Sequence, residues 1–235
     1  MSAIAGAQLP LALRYPPDQR LDAWVGDDPG LVSMLQAFAH GQGQPALYLE
    51  GAAGTGKTHL ALAVCAAAEQ AGHAAIYLPL ARLGPRAADA LAIGEAHLVA
   101  LDGLQHLAGD RIAETALFDL HNRIGDAGGR LLYAADAGPD ALPLVLPDLR
   151  SRLAQCVRVP LLLPDDGIRR RVLDSRALRR GLVLEDAAID WLLRRADRDL
   201  ASLTDLLERI DRAALAAQRR VTVPFLRQWL GDRAL

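Results

Sequence analysis

The octapeptide Gly51-Ala52-Ala53-Gly54-Thr55-Gly56-Lys57-Thr58 constrains this chain more than any other stretch, because it leaves few folds open to it. A glycine, four residues, then Gly-Lys-Thr is the pattern of a phosphate-binding loop. Such a loop works between a buried strand and a helix whose N-terminus faces the phosphates. The apolar run 46–49 supplies the strand, and the helix-forming run 59–70 follows directly. Glycines 51, 54 and 56 permit the tight turn that aims backbone N–H groups at an anion. Of the 26 lysines and arginines, Lys57 is the only lysine. A compact ammonium fits among converging amides where a planar guanidinium does not. Thr58 stands where a hydroxyl ligates Mg²⁺. The expected ligand is a nucleotide polyphosphate with Mg²⁺, held by Gly51, Ala53, Gly54, Thr55, Gly56, Lys57, Thr58 and the adjoining His59.

At 235 residues and 51% hydrophobic content, the chain can bury a full core, and one α/β unit with a small appendage is expected. Cys65 and Cys156 lie in apolar surroundings without metal or redox spacing, as reduced core thiols of a cytoplasmic protein do. No signal peptide is expected, since the early apolar stretch is broken by Gln8 and Pro10 and its first charge is Arg14. The run 60–68 is too short to span a bilayer, so no membrane partner is expected. Charge is uneven: residues 1–149 carry 8 basic and 16 acidic side chains, residues 150–235 carry 18 and 12. An arginine-rich C-terminal part suits nucleotide phosphate, nucleic acid or an acidic partner, or a solvated face of Arg–Asp pairs. No run of aromatic residues interleaves with these arginines, which argues against a base-stacking groove.

Apolar runs at 46–49, 74–78, 98–101, 130–134 and 156–159 alternate with helical segments. This predicts a parallel sheet covered by helices on both faces. After Pro160 the pattern changes to four helices, near 165–180, 185–195, 200–218 and 223–230, a small helical lid. Asp165, Glu185, Asp186 and Thr222 stand at expected helix starts, and Gly181 at an expected stop. The breaker Tyr15-Pro16-Pro17-Asp18 sets the N-terminus apart as an extended arm. The expected division is an arm at 1–20, an αβ nucleotide-binding core at 21–160 and a lid at 161–235.

Asp102 ends the strand LVALD, where an acid holds the Mg²⁺ water shell opposite the loop. The next residue is Gly103, which has no side chain to polarise an attacking water, so binding is expected and unaided turnover is not. Glu95 and Asp110 are alternatives for that second acid, against ordinary solvated acids. Asp136, after LLYAA, either senses the γ-phosphate or caps a strand end. Arg152 in LPDLRSRL and Arg198 in ADRDLASL each read alone as solvated surface.

The succession GAAGTGKT, LVALD, LLYAAD, LPDLRSRL and DRDLASL over most of residues 20–235 resembles AAA+ ATPases of the replication-initiator DnaA group. The sequence ends at Leu235, after the lid-like segment, so origin reading by a helix-turn-helix is not expected. Gln8-Leu9-Pro10-Leu11-Ala12-Leu13 is similar to the QLxLxL peptide by which partners bind the bacterial sliding clamp. Leucines enter an apolar pocket and the glutamine amide sets register. Together with FDLHNRI and VTVPFLRQWL, these features resemble the Hda family of DnaA regulatory inactivators.

That resemblance implies roles for residues. Nucleotide lies between core and lid, Asp136 falls at the sensor 1 position and Arg198 at sensor 2. Arg152 matches the arginine finger that reaches in trans to ATP on DnaA; Arg150 is close, but the SRL match favours Arg152. Such a finger is worth roughly 10³–10⁵ in rate. Gln8, Leu9, Leu11 and Leu13 bind the DNA polymerase III sliding clamp (beta), giving an indirect tie to DNA and to the nucleoid. Leu21, Trp24 and Val25 lie near the adenine, or Trp24 staples arm to core. An AAA+ core of this kind also has the means to assemble with its own copies. The implied function is conversion of ATP–DnaA to ADP–DnaA, which prevents re-initiation of replication. The alternatives are a helicase loader and a non-catalytic adaptor between clamp and initiator, the latter indifferent to loss of Arg152.

Overall fold

The computed structural model describes residues 19–94, 96–195, 200–217 and 220–231. Five strands form one parallel sheet: β1 Ala46–Glu50, β2 Ala75–Pro79, β3 Leu98–Asp102, β4 Arg130–Ala135 and β5 Val157–Pro160, in the order β2-β3-β4-β1-β5. The helices are α1 Pro29–Ala39, α2 Lys57–Gln70, α3 Ala87–Leu91, α4 Arg111–Asp126, α5 Pro147–Ala154, α6 Asp166–Arg179, α7 Asp186–Leu193, α8 Leu200–Ala217 and α9 Val223–Leu230. Each expected strand and lid helix is present, with ends moved by one or two residues. Cys156, expected inside a strand, instead precedes β5 and closes α5 through its N–H on Leu153 O.

Register explains the two-sided burial. Leu47 and Leu49 of β1, Leu98 and Ala100 of β3, and Leu132 and Ala134 of β4 face α1 and α2. Tyr48, Val99, Leu101, Leu131, Tyr133 and Ala135 alternate with them and face α3, α4 and α5. With both faces covered, these strands read as continuous apolar runs rather than alternating ones. The C-terminal helices have cores of their own, with Trp191, Leu206, Ile210, Phe225 and Leu226 in one cluster and Leu173, Ile189, Leu203 and Leu207 in another. Their starts are where the sequence placed them. Asp165 accepts from Ile168 N at 2.7 Å and Thr222 from Phe225 N at 3.3 Å. Among the described residues, a parallel bridge from Leu184 to Val221 joins the lid loops.

Among the described residues, no helix is long and apolar enough to cross a membrane. Cys65 and Cys156 are buried thiols outside any disulfide, and burial pushes Cys156 up to about 11, leaving it protonated and unreactive.

Candidate nucleotide site

Because all strands run the same way, their C-terminal ends gather at one edge. In such sheets ligands bind in the crevice beyond those ends. Glu50 ends β1, Asp102 ends β3, and Asp136 follows β4, so all three carboxylates stand there. Glu50 is engaged by Arg158 Nε at 3.0 Å, which ties edge strand β5 to the base of the loop.

The loop from Gly51 to Gly56 leads straight into α2, which begins at Lys57. Two of its glycines are required by space. A Cβ at Gly51 would stand 2.5 Å from Leu161 O, and one at Gly56, where φ is +93°, would stand 2.6 Å from the Trp24 ring. Thr55 is buried and its hydroxyl donates to Ala52 O at 3.0 Å, which closes the turn from inside. Among the described residues, the amides of Ala53, Gly54 and Gly56 have no hydrogen-bond partner. Unpartnered N–H groups at a helix N-terminus form a ready anion site.

Lys57 has only 8% of its side chain exposed, and its ammonium is shared three ways. It donates to Gly51 O and Ala52 O, and pairs with Asp136 Oδ1 at 2.9 Å. Asp136 is itself steadied by Gln105, whose Nε2 donates to Oδ2 at 2.8 Å and whose Oε1 accepts from Asp136 N at 3.3 Å. Thr58 Oγ1 donates to Asp102 Oδ2 at 2.6 Å, and Tyr77 OH donates to the same oxygen at 2.8 Å. Burial and then the Asp102 charge hold the Tyr77 phenol well above its ordinary value, so it remains a donor at neutral pH. A hydroxyl beside one carboxylate is the sparse oxygen set that suits Mg²⁺, which keeps waters and takes other ligands from phosphate. The lining therefore fits a magnesium-bound nucleotide polyphosphate.

Gly103 follows Asp102 with φ +91°, and the chain turns away through a 3₁₀ turn at Leu104–His106. No carboxylate stands next to Asp102 in the chain. Asp110 is occupied elsewhere, capping α4 through Ile112 N and Ala113 N. Trp24 packs on the loop at Gly56 and lies 5.7 Å from the His59 ring, and Leu21 is buried in the same core cluster. Glu95, Arg198, Gln8, Leu9, Leu11 and Leu13 lie outside the described residues. From the lid, Arg171 pairs with Asp27 at 2.6 Å and Arg179 donates to Asp22 O at 2.8 Å. These contacts bind α6 to the segment that carries Trp24.

Arg152 is exposed on the last turn of α5, and among the described residues its guanidinium makes no hydrogen bond or ion pair. Arg150 is turned inward and donates to Leu144 O. Leu149 and Leu153 anchor the helix to the core beneath. Gln105, Tyr77 and Glu114, each contacting this region or its supports, were not singled out from the sequence. Apart from Gly109, which donates to Glu114 from five residues away, their partners lie 25 to 32 residues away along the chain, beyond any local pattern.

Residues 166–230 match the family model described as the Hda lid domain. The fold resembles domain III of the Thermotoga maritima replication initiation protein DnaA, with TM-score 0.75 and 19% identity, covering 94% of this chain and 98% of that one. It also resembles AMPPCP-bound DnaA from Aquifex aeolicus, with TM-score 0.70 and 20% identity over 84% of this chain and 65% of that one. The Thermotoga maritima RuvB Holliday junction branch migration motor is similar at TM-score 0.65 and 17% identity, over 92% of this chain and 72% of that one. The chain thus spans about two thirds of the length of the longer DnaA. At these identities the likeness establishes the fold alone, a five-stranded parallel sheet flanked by helices and followed by the helical region that matches the Hda lid.

Proposed function

With an Hda-type lid on a DnaA-like AAA+ core as the premise, we propose that this chain is a clamp-recruited regulatory inactivator of the initiator DnaA. The observation that carries this reading is a contrast within the molecule. Its own site holds Lys57, Thr58 and Asp102 together but has Gly103 where a water-polarising acid would stand, while Arg152 is exposed on α5 and its guanidinium makes no hydrogen bond or ion pair among the described residues. The geometry suits a protein that holds a nucleotide and acts on another protein's ATP.

In this reading the loop amides and Lys57 bind the phosphates of ADP or ATP, and Thr58 and Asp102 hold the Mg²⁺ shell. Asp136 stands beside the terminal phosphate region, where its pairing with Lys57 responds to the phosphate, and Arg198 reaches that region from the lid. The bound nucleotide supplies charge that joins core (21–160) and lid (161–235). Arg152 crosses the interface to stabilise charge developing on the phosphoryl group of DnaA-bound ATP, a contribution of roughly 10³–10⁵ in rate. The arm (1–20), through Gln8, Leu9, Leu11 and Leu13, binds the sliding clamp on DNA and so raises the local concentration of Arg152 near DnaA. The consequence is ADP–DnaA and no second initiation, in the cytoplasm at the nucleoid.

The test is ATP hydrolysis by ATP-loaded DnaA on addition of this protein, ADP and DNA-loaded clamp. Stimulation that disappears with Arg152→Ala and with Gln8→Ala/Leu11→Ala supports the reading. Stimulation unaffected by Arg152→Ala leaves a clamp-to-initiator adaptor, and no stimulation by the wild type rejects the proposal.

A further inference from the structure

Glu114, on the first turn of α4, is fully buried. Its carboxylate accepts from the amides of three residues: Gly109 N at 2.8 Å, Val145 N at 3.0 and 2.9 Å on its two oxygens, and Leu146 N at 2.7 Å. A buried carboxylate is tolerated only when so satisfied, and charge-assisted bonds of this kind are the strong ones. What it holds is informative. Val145 and Leu146 are the last residues before α5, and Leu146 is the N-cap of that helix, with no side chain able to cap it. Arg150 pins the same approach by donating to Leu144 O. Gly109 lies at the end of the segment after β3, three residues beyond the turn whose Gln105 holds Asp136.

We propose that Glu114 is the positioning residue for the finger: it fixes the approach to α5, and thereby Arg152, relative to the segment that follows the β3 aspartate. This rests on the functional reading above. Leverage makes the role consequential. An eight-residue helix is about 12 Å long, so a tilt of about 10° at its N-terminus displaces the Arg152 end by about 2 Å. Misplacement of a catalytic group by about 1 Å costs on the order of 10²-fold. Glu114→Gln keeps the volume but turns an NH₂ group toward amide N–H groups that need an acceptor.

The experiment compares wild type, Arg152→Ala, Glu114→Gln and Glu114→Asp in the clamp-dependent DnaA assay, with amide hydrogen exchange on each protein. For Glu114→Gln the expected maximal stimulated rate falls about 10- to 100-fold, with half-saturating concentration within about 2-fold of wild type. Exchange accelerates in peptides covering 142–154 and stays unchanged over 46–70. Glu114→Asp, which keeps the charge but loses reach, gives an intermediate rate, and it decides the matter alone if Glu114→Gln does not fold. Wild-type stimulation in a folded Glu114 variant, with Arg152→Ala inactive, overturns the positioning role alone. Exchange accelerated throughout the sheet, or a loss of affinity in place of rate, overturns it in favour of a general packing role. No stimulation by the wild type overturns the functional reading and this role with it.

Discussion

Lys57 Nζ lies 2.9 Å from Asp136 Oδ1, so the single lysine of the chain is paired with the acid that follows β4. An incoming phosphate and the Asp136 carboxylate carry the same sign and reach for the same ammonium. The pair keeps a nearly buried charge satisfied, and it opposes the ligand it is placed to meet.

Asp136→Asn is therefore expected to bind nucleotide more tightly, by about 3- to 10-fold, since a like charge near the phosphates is removed at a moderately screened site. Titration with fluorescent ADP and ATP analogues measures this. Weaker binding would show that the carboxylate belongs to the ligand set instead of competing with it. Lys57→Ala is expected to lose binding by at least about 100-fold, because a charge-assisted bond and its anion partner go together.

Asp102→Asn and Thr58→Ala should each abolish the gain in nucleotide affinity on adding Mg²⁺, while affinity in excess chelator stays near wild type. The two residues already share a 2.6 Å hydrogen bond, so they address one site. A preserved Mg²⁺ effect in both variants would place the ion elsewhere.

Arg152→Ala should leave thermal stability within about 0.5 kcal/mol of wild type, as expected for an exposed side chain whose guanidinium makes no hydrogen bond or ion pair among the described residues, yet reduce stimulated DnaA hydrolysis by about 10³-fold. Arg150→Ala should do the reverse in kind. It loses a partly buried bond to Leu144 O and is expected to cost about 1–2 kcal/mol in a denaturation curve. Equal catalytic losses in both would mean that distortion of α5, not loss of a charge, is being read.

Arg130 is a structural cation. Its guanidinium donates to Gly41 O and to Gln44 O at 2.6 Å, and sits 5.4 Å from the Phe38 ring centroid. Arg130→Met leaves those carbonyls beyond α1 without donors and should cost about 3 kcal/mol, or about 6–12 °C in Tm. A shift below about 2 °C would indicate that water replaces the donor fully.

Stability should fall on acidification through the histidine range. Burial, then the stacked His73 ring and the Arg130 guanidinium, hold His97 below its ordinary value, and burial with the Arg152 charge does the same for His121. The unfolded chain takes up protons below ~6.5, where these native imidazoles resist them. The stability they permit is intact above that value and declines as pH drops toward their lower native values. Urea midpoints at about pH 7.5 and about pH 5.5 should differ, and His97→Gln/His121→Gln should narrow the gap. An unchanged gap would assign the loss to carboxylates.

Much of this arrangement is legible along the chain. The loop at 51–58, the strand before it and the helix after it follow from glycine spacing and apolar runs. Asp102 and Asp136 are found because each directly ends a buried run, and the lid helices are bounded by Asp165, Thr222 and Gly181, residues whose side chains or lack of one act locally. Arg152 is favoured over Arg150 only by resemblance, through the SRL match, because as residues both are arginines two positions apart on one helix. Only the packing of α5 turns one inward to Leu144 O and leaves the other exposed.

What the sequence determined by itself is therefore everything that depends on neighbours a few residues apart: element type, caps, the loop's capacity for phosphate and the missing acid at Gly103. What only the tertiary structure decided is which distant groups meet. Strand order β2-β3-β4-β1-β5 places β4 between β3 and β1, which brings Asp136 to Lys57, and the packing of α4 beneath α5 brings Glu114 to Val145 and Leu146. Those contacts arise from the closing of a whole sheet and its two covering layers. Such a cooperative outcome has no local signature, because each side chain involved is compatible with a solvated surface until the fold removes the water around it.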